Sequence, residues 1–208
     1  MQNKKTAGYL ISFCGLDGCG KTTQIKMLEE YIKEKGINVF LTKQPTSYVR
    51  QSEIFRTYMD CPDHSSFDYR SLSLLAASDR IQHINKVIVP EMQKNKVVIS
   101  DRYYYSCLAN LRARGYKDDQ WIYDVARFIV KPDLSFFLDV SVETAVSRVR
   151  KRPEEENRYI DMDLQYKLRK EYINICKKNN GVLLSTEKTK EECFEIIKTE
   201  FERMIDNG

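Results

Sequence analysis

Residues 9–23 read YLISFCGLDGCGKTT, and the order of features inside this stretch decides the fold. A short run of apolar, β-branched and aromatic residues (YLISF, 9–13) has the character of a buried strand. Directly after it, GLDGCGKT (15–22) satisfies the spacing G-x-x-x-x-G-K-[ST]. The amphipathic run TTQIKMLEEYIKEKG (22–36) then reads as a helix, with Gly36 suited to its C-terminal cap. Strand, glycine loop and helix in that order form a phosphate cradle. The glycines let backbone N–H groups turn toward an anion, Lys21 reaches the outer phosphates, and the Thr22 hydroxyl is a ligand for Mg²⁺. At average residue frequencies the bare pattern arises by chance in roughly one chain in a hundred of this length. The flanking strand and helix make chance rarer still, so the stretch predicts ATP or GTP binding.

Working outward, strand-like runs recur at NVFLT (38–42), KVVIS (96–100), LSFFLDV (134–140) and GVLLS (181–185), each short and apolar as strands buried on both faces should be, with helical patterns between them. Strands alternating with helices predict an α/β fold with a mostly parallel sheet and helices on both faces. No repeat, low-complexity tract or linker interrupts residues 1–208, which read as a single domain. GTPases need a base-reading NKxD, which is absent, and motor ATPases carry an apolar strand ending in DE, whereas VVIS ends in Asp101-Arg102.

Composition excludes other classes. No apolar run approaches the ~20 residues that span a bilayer. The opening MQNKKTAGYLISF has the lysines and apolar run of a signal peptide, but the glycine loop breaks it at once, and the strand reading is preferred. Cys14, Cys19, Cys61, Cys107, Cys176 and Cys193 form no CxxC pair, and His64 and His83 are far apart. Neither a zinc site nor a disulfide framework follows, and free thiols indicate the cytoplasm. Cys19, within the loop, is either a reactive thiol or a small filler. The net charge of +4 comes from interspersed acids and bases without a basic–aromatic stripe, so neither nucleic acid nor membrane is expected as a partner.

Two further stretches carry chemistry. In a parallel sheet, Asp101 and Arg102 emerge at the same edge as the glycine loop. The acid there holds Mg²⁺, a substrate hydroxyl or merely a strand-end salt bridge, and the guanidinium suits a phosphate. Arg148, Arg150, Arg152 and Arg158 lie in a charged segment at about 148–160. Alone this is a solvated helix end; beside a phosphate loop it reads as a lid that closes on the transferring group.

Together these stretches resemble the thymidylate kinase family over most of the chain. The similarity rests on CGLDGCGKTT, on KQPT (43–46), on LSLLAASDRIQHINKVIVPEMQKNKVVISDRYYYS (72–106), on RVRKRPEEENRY (148–159), and on the R-x-x-Y helix at Leu168 to Tyr172. The resemblance implies a three-layer P-loop NTPase fold with a mostly parallel five-stranded sheet ordered 2-3-1-4-5. It implies ATP-dependent, Mg²⁺-dependent phosphoryl transfer to a nucleoside monophosphate, with dTMP first among acceptors, by a homodimer. ATP would lie on Gly15, Asp17, Gly18, Cys19, Gly20, Lys21, Thr22, Thr23 and Arg148. The acceptor would meet Asp17, Pro45, Arg56, Ala76, Arg80, Asp101, Arg102, Ser106, Cys107 and Asn110, with Arg56 and Arg102 on its phosphate and Arg80 toward its base. Thr22 and Asp101 would hold the metal. Gly18 and Cys19 leave the loop without a base at its variable positions, so the lid must supply the catalytic cation. Arg152 and Arg158 are the candidates, acting with Lys21 and Arg102.

The departures cluster on the base and sugar side. Ala76 stands where the family has a stacking Phe, Asn110 where it has a sugar-facing Tyr, and Cys107 where it has a base-facing polar residue. Lys43 and Gln44 replace the Arg-Glu of the loop after the second strand. A lost aromatic platform removes about 1–3 kcal/mol of stacking. This raises the expectation of an altered acceptor, larger or bearing a 2′-hydroxyl, unless Phe67, Tyr69 or Tyr104 restores the stack. A deoxynucleoside kinase and a non-catalytic nucleotide-binding regulator are the competing readings; intact Lys21, Thr22, Asp101, Arg102 and lid argue against the latter.

Overall fold

The computed structural model describes residues 8–60, 67–116 and 118–206, so Cys61 and His64 lie outside the described residues. Strand β1 (Tyr9–Cys14) leads through the glycine loop into helix α1 (Lys21–Glu34). Gly36, at φ +73°, donates its N–H to Lys33 O, and Ile37 N–H reaches Ile32 O. Those two bonds close the helix, as the sequence reading of Gly36 expects. Strand β2 (Val39–Lys43) ends at a cis Gln44–Pro45 bond and runs into two short helices, α2 (Ser47–Gln51) and α3 (Glu53–Asp60). Helix α4 (Tyr69–His83) continues through a π turn at Ile84–Ile88 into α5 (Val89–Gln93). The widened turn precedes Pro90, whose ring conflicts with a regular carbonyl ladder one turn back.

Strand β3 (Val97–Asp101), helices α6 (Tyr104–Ala113) and α7 (Gln120–Val125), and strand β4 (Leu134–Asp139) follow. Helix α8 (Val142–Arg150), the 3₁₀ turn Pro153–Glu155 of the lid, α9 (Met162–Lys178), β5 (Val182–Ser185) and α10 (Lys190–Asp206) complete the order. All five strands are parallel, in the order β2-β3-β1-β4-β5. The expected fold class and strand order are therefore present.

Successive residues Leu10 to Cys14 are all buried, and successive side chains point to opposite faces, so helices cover both faces of the central sheet. The sequence treats all five strands as doubly buried. Here β2 and β5 differ, with Leu41 and Leu183 exposed, because each is an edge strand with one neighbour. The register aligns Phe13 and Lys43 with Asp101, so the chain leaves β1, β2 and β3 at one level. Everything chemically notable converges on that edge.

Candidate active site

The first half of the site is built by the glycine loop. Gly15 and Gly18 have φ of +138° and +82°. A Cβ on Gly15 would stand 2.5 Å from Leu138 O, and one on Gly18 would stand 2.1 Å from Ala145 O. Only glycine fits either place. Helix α1 starts at Gly20 with no side-chain cap and no acid in its first turn, which leaves its first N–H groups and positive dipole end for an anion. Lys21 is buried, its Nζ donating to Leu16 O (2.7 Å) and Gly15 O (3.1 Å) and lying 3.7 Å from Cys19 Sγ. Cys19 is wholly enclosed and serves as a small filler, while Thr22 and Thr23 are exposed at the start of α1. Arg148 turns away from the lid toward this half, donating to Thr186 O (3.2 Å) and Gly18 O (3.5 Å).

The second half is a cavity of about 700 Å³ opening at the sheet edge. Its charged lining comprises seven cations, Lys43, Arg50, Arg80, Arg102, Arg114, Arg152 and Arg158, against the three acids Asp17, Glu155 and Asp161. That excess suits an anionic guest.

At the junction of the halves stands Arg102, in the left-handed region at φ +72°, its N–H bonded to Phe13 O across the sheet. This turn aims the guanidinium back over the glycine loop. It donates to Asp17 Oδ1 (2.5 Å), Gly15 O (3.2 Å) and the Tyr172 hydroxyl (3.0 Å). The Arg102 charge holds the Asp17 carboxyl well below the usual range, overcoming burial, with Lys21 and Arg158 adding to the effect. Burial opposes the charge on Arg102 in turn, but Asp17 keeps it well above the ordinary guanidinium value. Burial pushes the Tyr172 hydroxyl up to about 12, so it stays a neutral donor, to Ser106 Oγ at 3.2 Å.

Deeper in the cavity, buried Arg80 donates to Gln44 Oε1 (2.9 Å) and reaches Cys107 Sγ (3.3 Å). Gln44 Nε2 in turn meets His83 Nδ1 (3.2 Å), whose Nε2 meets Thr42 Oγ1 (2.9 Å). Neutral Gln44 thus stands beside a buried guanidinium. Asn110 Oδ1 accepts from Arg114 (2.7 Å), and Arg114 lies 3.9 Å over the Tyr69 ring and bonds the Tyr58 hydroxyl. The segment read as a lid lines the cavity with Arg152, Glu155 and Arg158, the last paired with Glu155 (2.9 Å) and Asp17 (3.5 Å).

The structure brings together Asp17, Pro45, Ala76, Arg80, Arg102, Ser106, Cys107, Asn110, Arg152 and Arg158 around this one cavity. Arg56 does not join them. It is exposed on α3, and α2 presents Arg50 to the cavity instead. Asp101 lies behind the lining, its Oδ2 paired with Lys43 at 3.3 Å, so a strand-end ion pair exists there, while its buried Oδ1 has no partner among the described residues. Of the three aromatics considered as replacements for the missing stack, Tyr69 lines the cavity. Phe67 packs on Tyr58, and Tyr104 is buried between Tyr103 and Tyr105. The sequence reading missed Arg50, Tyr58 and Arg114. Arg114 was recoverable, because Cys107 and Asn110 lie on one face of α6 and Arg114, its C-cap, continues that spacing.

Comparison with known proteins agrees with this geometry. A family model described as Thymidylate kinase matches residues 13–197. The chain is 39% identical over 166 residues to the "Probable thymidylate kinase" of Thermococcus kodakarensis, covering 77% of this chain and 80% of that one. It is 34% identical over 203 residues to the "Probable thymidylate kinase" of Pyrococcus abyssi, covering 93% and 97%. It is 33% identical over 196 residues to the "Thymidylate kinase" of a Geobacillus strain, covering 90% and 92%.

Proposed function

This chain belongs to the thymidylate kinase family, and on that premise we propose that it transfers the γ-phosphoryl group of ATP to dTMP, giving ADP and dTDP. The observation that carries the reading is the meeting of the two halves at Asp17 and Arg102, where a phosphate loop adjoins a cationic cavity. The altered acceptor, the deoxynucleoside kinase and the non-catalytic regulator are set aside. The matched relatives are named as thymidylate kinases, and a cation-rich lining suits a charged acceptor better than a neutral nucleoside.

The acceptor's attacking oxygen is already anionic, so the chemistry asks for position and charge neutralisation more than for a base. The glycine loop and the α1 N-terminus hold the donor phosphates. Lys21 neutralises the moving phosphoryl group, with Arg152 and Arg158 contributed by the lid. Arg102, held rigid by Gly15, Asp17 and Tyr172, faces the acceptor phosphate, and Arg80 with Cys107 faces its base. Lid closure also excludes water, which protects the transfer from hydrolysis.

Thr22 and Asp101 would hold Mg²⁺, which supplies charge neutralisation across the donor phosphates. The residues fit such an ion: a hydroxyl is exposed at the head of α1, and a carboxylate oxygen lacks a partner. No cluster of three metal-binding side chains occurs among the described residues, which suits a cation that keeps most of its ligands as water and phosphate. The free thiols at Cys14, Cys19, Cys107, Cys176 and Cys193 support a cytoplasmic setting. A homodimer is carried over from the family resemblance and is checked by sedimentation.

The deciding experiment measures ADP release with ATP, Mg²⁺ and a panel of nucleoside monophosphates. dTMP should be turned over with the highest kcat/KM. A preference for another monophosphate, or no turnover at all, overturns the reading.

A further inference from the structure

Arg50 sits in the last turn of α2, a helix pinned in place rather than loosely draped. Thr46 caps it, and Asp79 on α4 receives the Thr46 N–H at 2.9 Å and its hydroxyl as well. Val49, beside Arg50, is buried. The backbone that carries Arg50 is therefore held from below, and its half-buried side chain lines the cavity together with Asp17, Arg102 and Arg158.

The three carboxylates that act most on Arg50 each have a partner of their own. Asp101 pairs with Lys43 at 3.3 Å, Asp17 with Arg102 at 2.5 Å and Arg158 at 3.5 Å, and Asp79 with Thr46. Among the described residues Arg50 itself forms no ion pair. Burial pulls its pKa down, against the attraction of Asp101, which is the mark of a cation short of a counter-charge. A guanidinium held this way is stabilised by an incoming anion, and its planar fork matches two phosphate oxygens. Arg56, which the family resemblance nominates for the acceptor phosphate, is placed differently. Extended Ser52 (ψ 147°) separates α2 from α3, and Arg56 stands exposed beyond that break.

We propose that Arg50, rather than Arg56, is the residue that grips the acceptor's phosphate alongside Arg102. The assignment rests on the dTMP kinase reading for the identity of the acceptor. It makes Arg50 a binding residue specific to the phosphate and indifferent to the nucleoside.

The test compares the full chain with Arg50→Ala, Arg50→Lys and Arg56→Ala, titrating each calorimetrically with dTMP and with thymidine and measuring KM and kcat. Loss of a charged two-point contact should weaken dTMP binding about 100-fold in Arg50→Ala. Thymidine, which has no phosphate, should bind that variant within about twofold of the parent; this also certifies its fold. Arg50→Lys should recover part of the dTMP affinity by charge alone, and Arg56→Ala should lose less than Arg50→Ala. The proposal is overturned if Arg50→Ala binds dTMP within about threefold of the parent. Equal weakening of dTMP and thymidine, or a larger loss in Arg56→Ala, overturns it too. If the parent prefers another monophosphate, the functional reading fails, and the same titrations with that monophosphate and its nucleoside still decide the role of Arg50.

Discussion

Replacing Lys21 with Met separates the cost to catalysis from the cost to folding. Lys21 Nζ is buried and spends its donors on two loop carbonyls, Leu16 O and Gly15 O, with no carboxylate in contact. Losing two hydrogen bonds from a charged donor costs about 1.5–3 kcal/mol each. Against this, removing the ammonium relieves a desolvation penalty of several kcal/mol, and Met is an unbranched side chain that refills the slot. The two effects nearly offset, leaving a net change in stability of about 2 kcal/mol or less. For a domain of this size that corresponds to a Tm shift below about 8 °C. Catalysis has no such compensation, because the moving phosphoryl group loses a cation inside a site that excludes water. Loss of one such group costs on the order of 10³ in rate or more, about 4 kcal/mol. Melting curves and coupled ADP-release kinetics on the same preparation check both numbers. A variant that retains kcat/KM within about tenfold of the parent would refute the role given to Lys21. One that melts more than about 15 °C lower would show that the side chain is mainly structural.

Other expectations follow from the same geometry. Burial holds the His83 pKa below its usual value of about 6.5, with Asp79 opposing and Arg80 adding to the shift. Its folded-state value is depressed, so its contribution to stability is complete above the unfolded value of about 6.5 and is lost as pH falls through the folded-state value. The parent should therefore lose more Tm between pH 7.5 and pH 5 than His83→Asn, and equal losses would contradict the assignment. Gly18→Ala forces a left-handed φ on alanine and drives its Cβ into Ala145 O. Strain and overpacking together should cost about 3 kcal/mol in a denaturant titration, with ATP binding lost as well. Arg152 is exposed on the lid, so Arg152→Ala should leave the Tm nearly unchanged while kcat falls by about 10² or more. An unchanged kcat would leave Arg158 as the lid's catalytic cation.

Much of this was legible in sequence because it depends on short-range rules. Glycine spacing fixes the loop, since Gly15 and Gly18 answer to steric limits at their own Cα atoms. Apolar runs locate all five strands to within a residue or two. Helical spacing places Ala76 and Arg80 on one face of α4, and the strand end puts Arg102 beside the loop. The altered acceptor was inferred from single positions, Ala76, Cys107 and Asn110, read one at a time. In the folded chain Tyr69 and Arg114, which belong to different helices, meet in the same cavity.

The sequence by itself determined the phosphate loop, the parallel α/β architecture and the phosphoryl chemistry, because each is set by residues a few positions apart. Only the tertiary structure decided that Asp17 pairs with Arg102, that Asp101 pairs with Lys43, and that Arg50 occupies the cavity where Arg56 was expected. Those outcomes depend on where β1, β2 and β3 end together and on the break at Ser52. No local rule specifies which of two arginines, six residues apart, a folded chain turns inward.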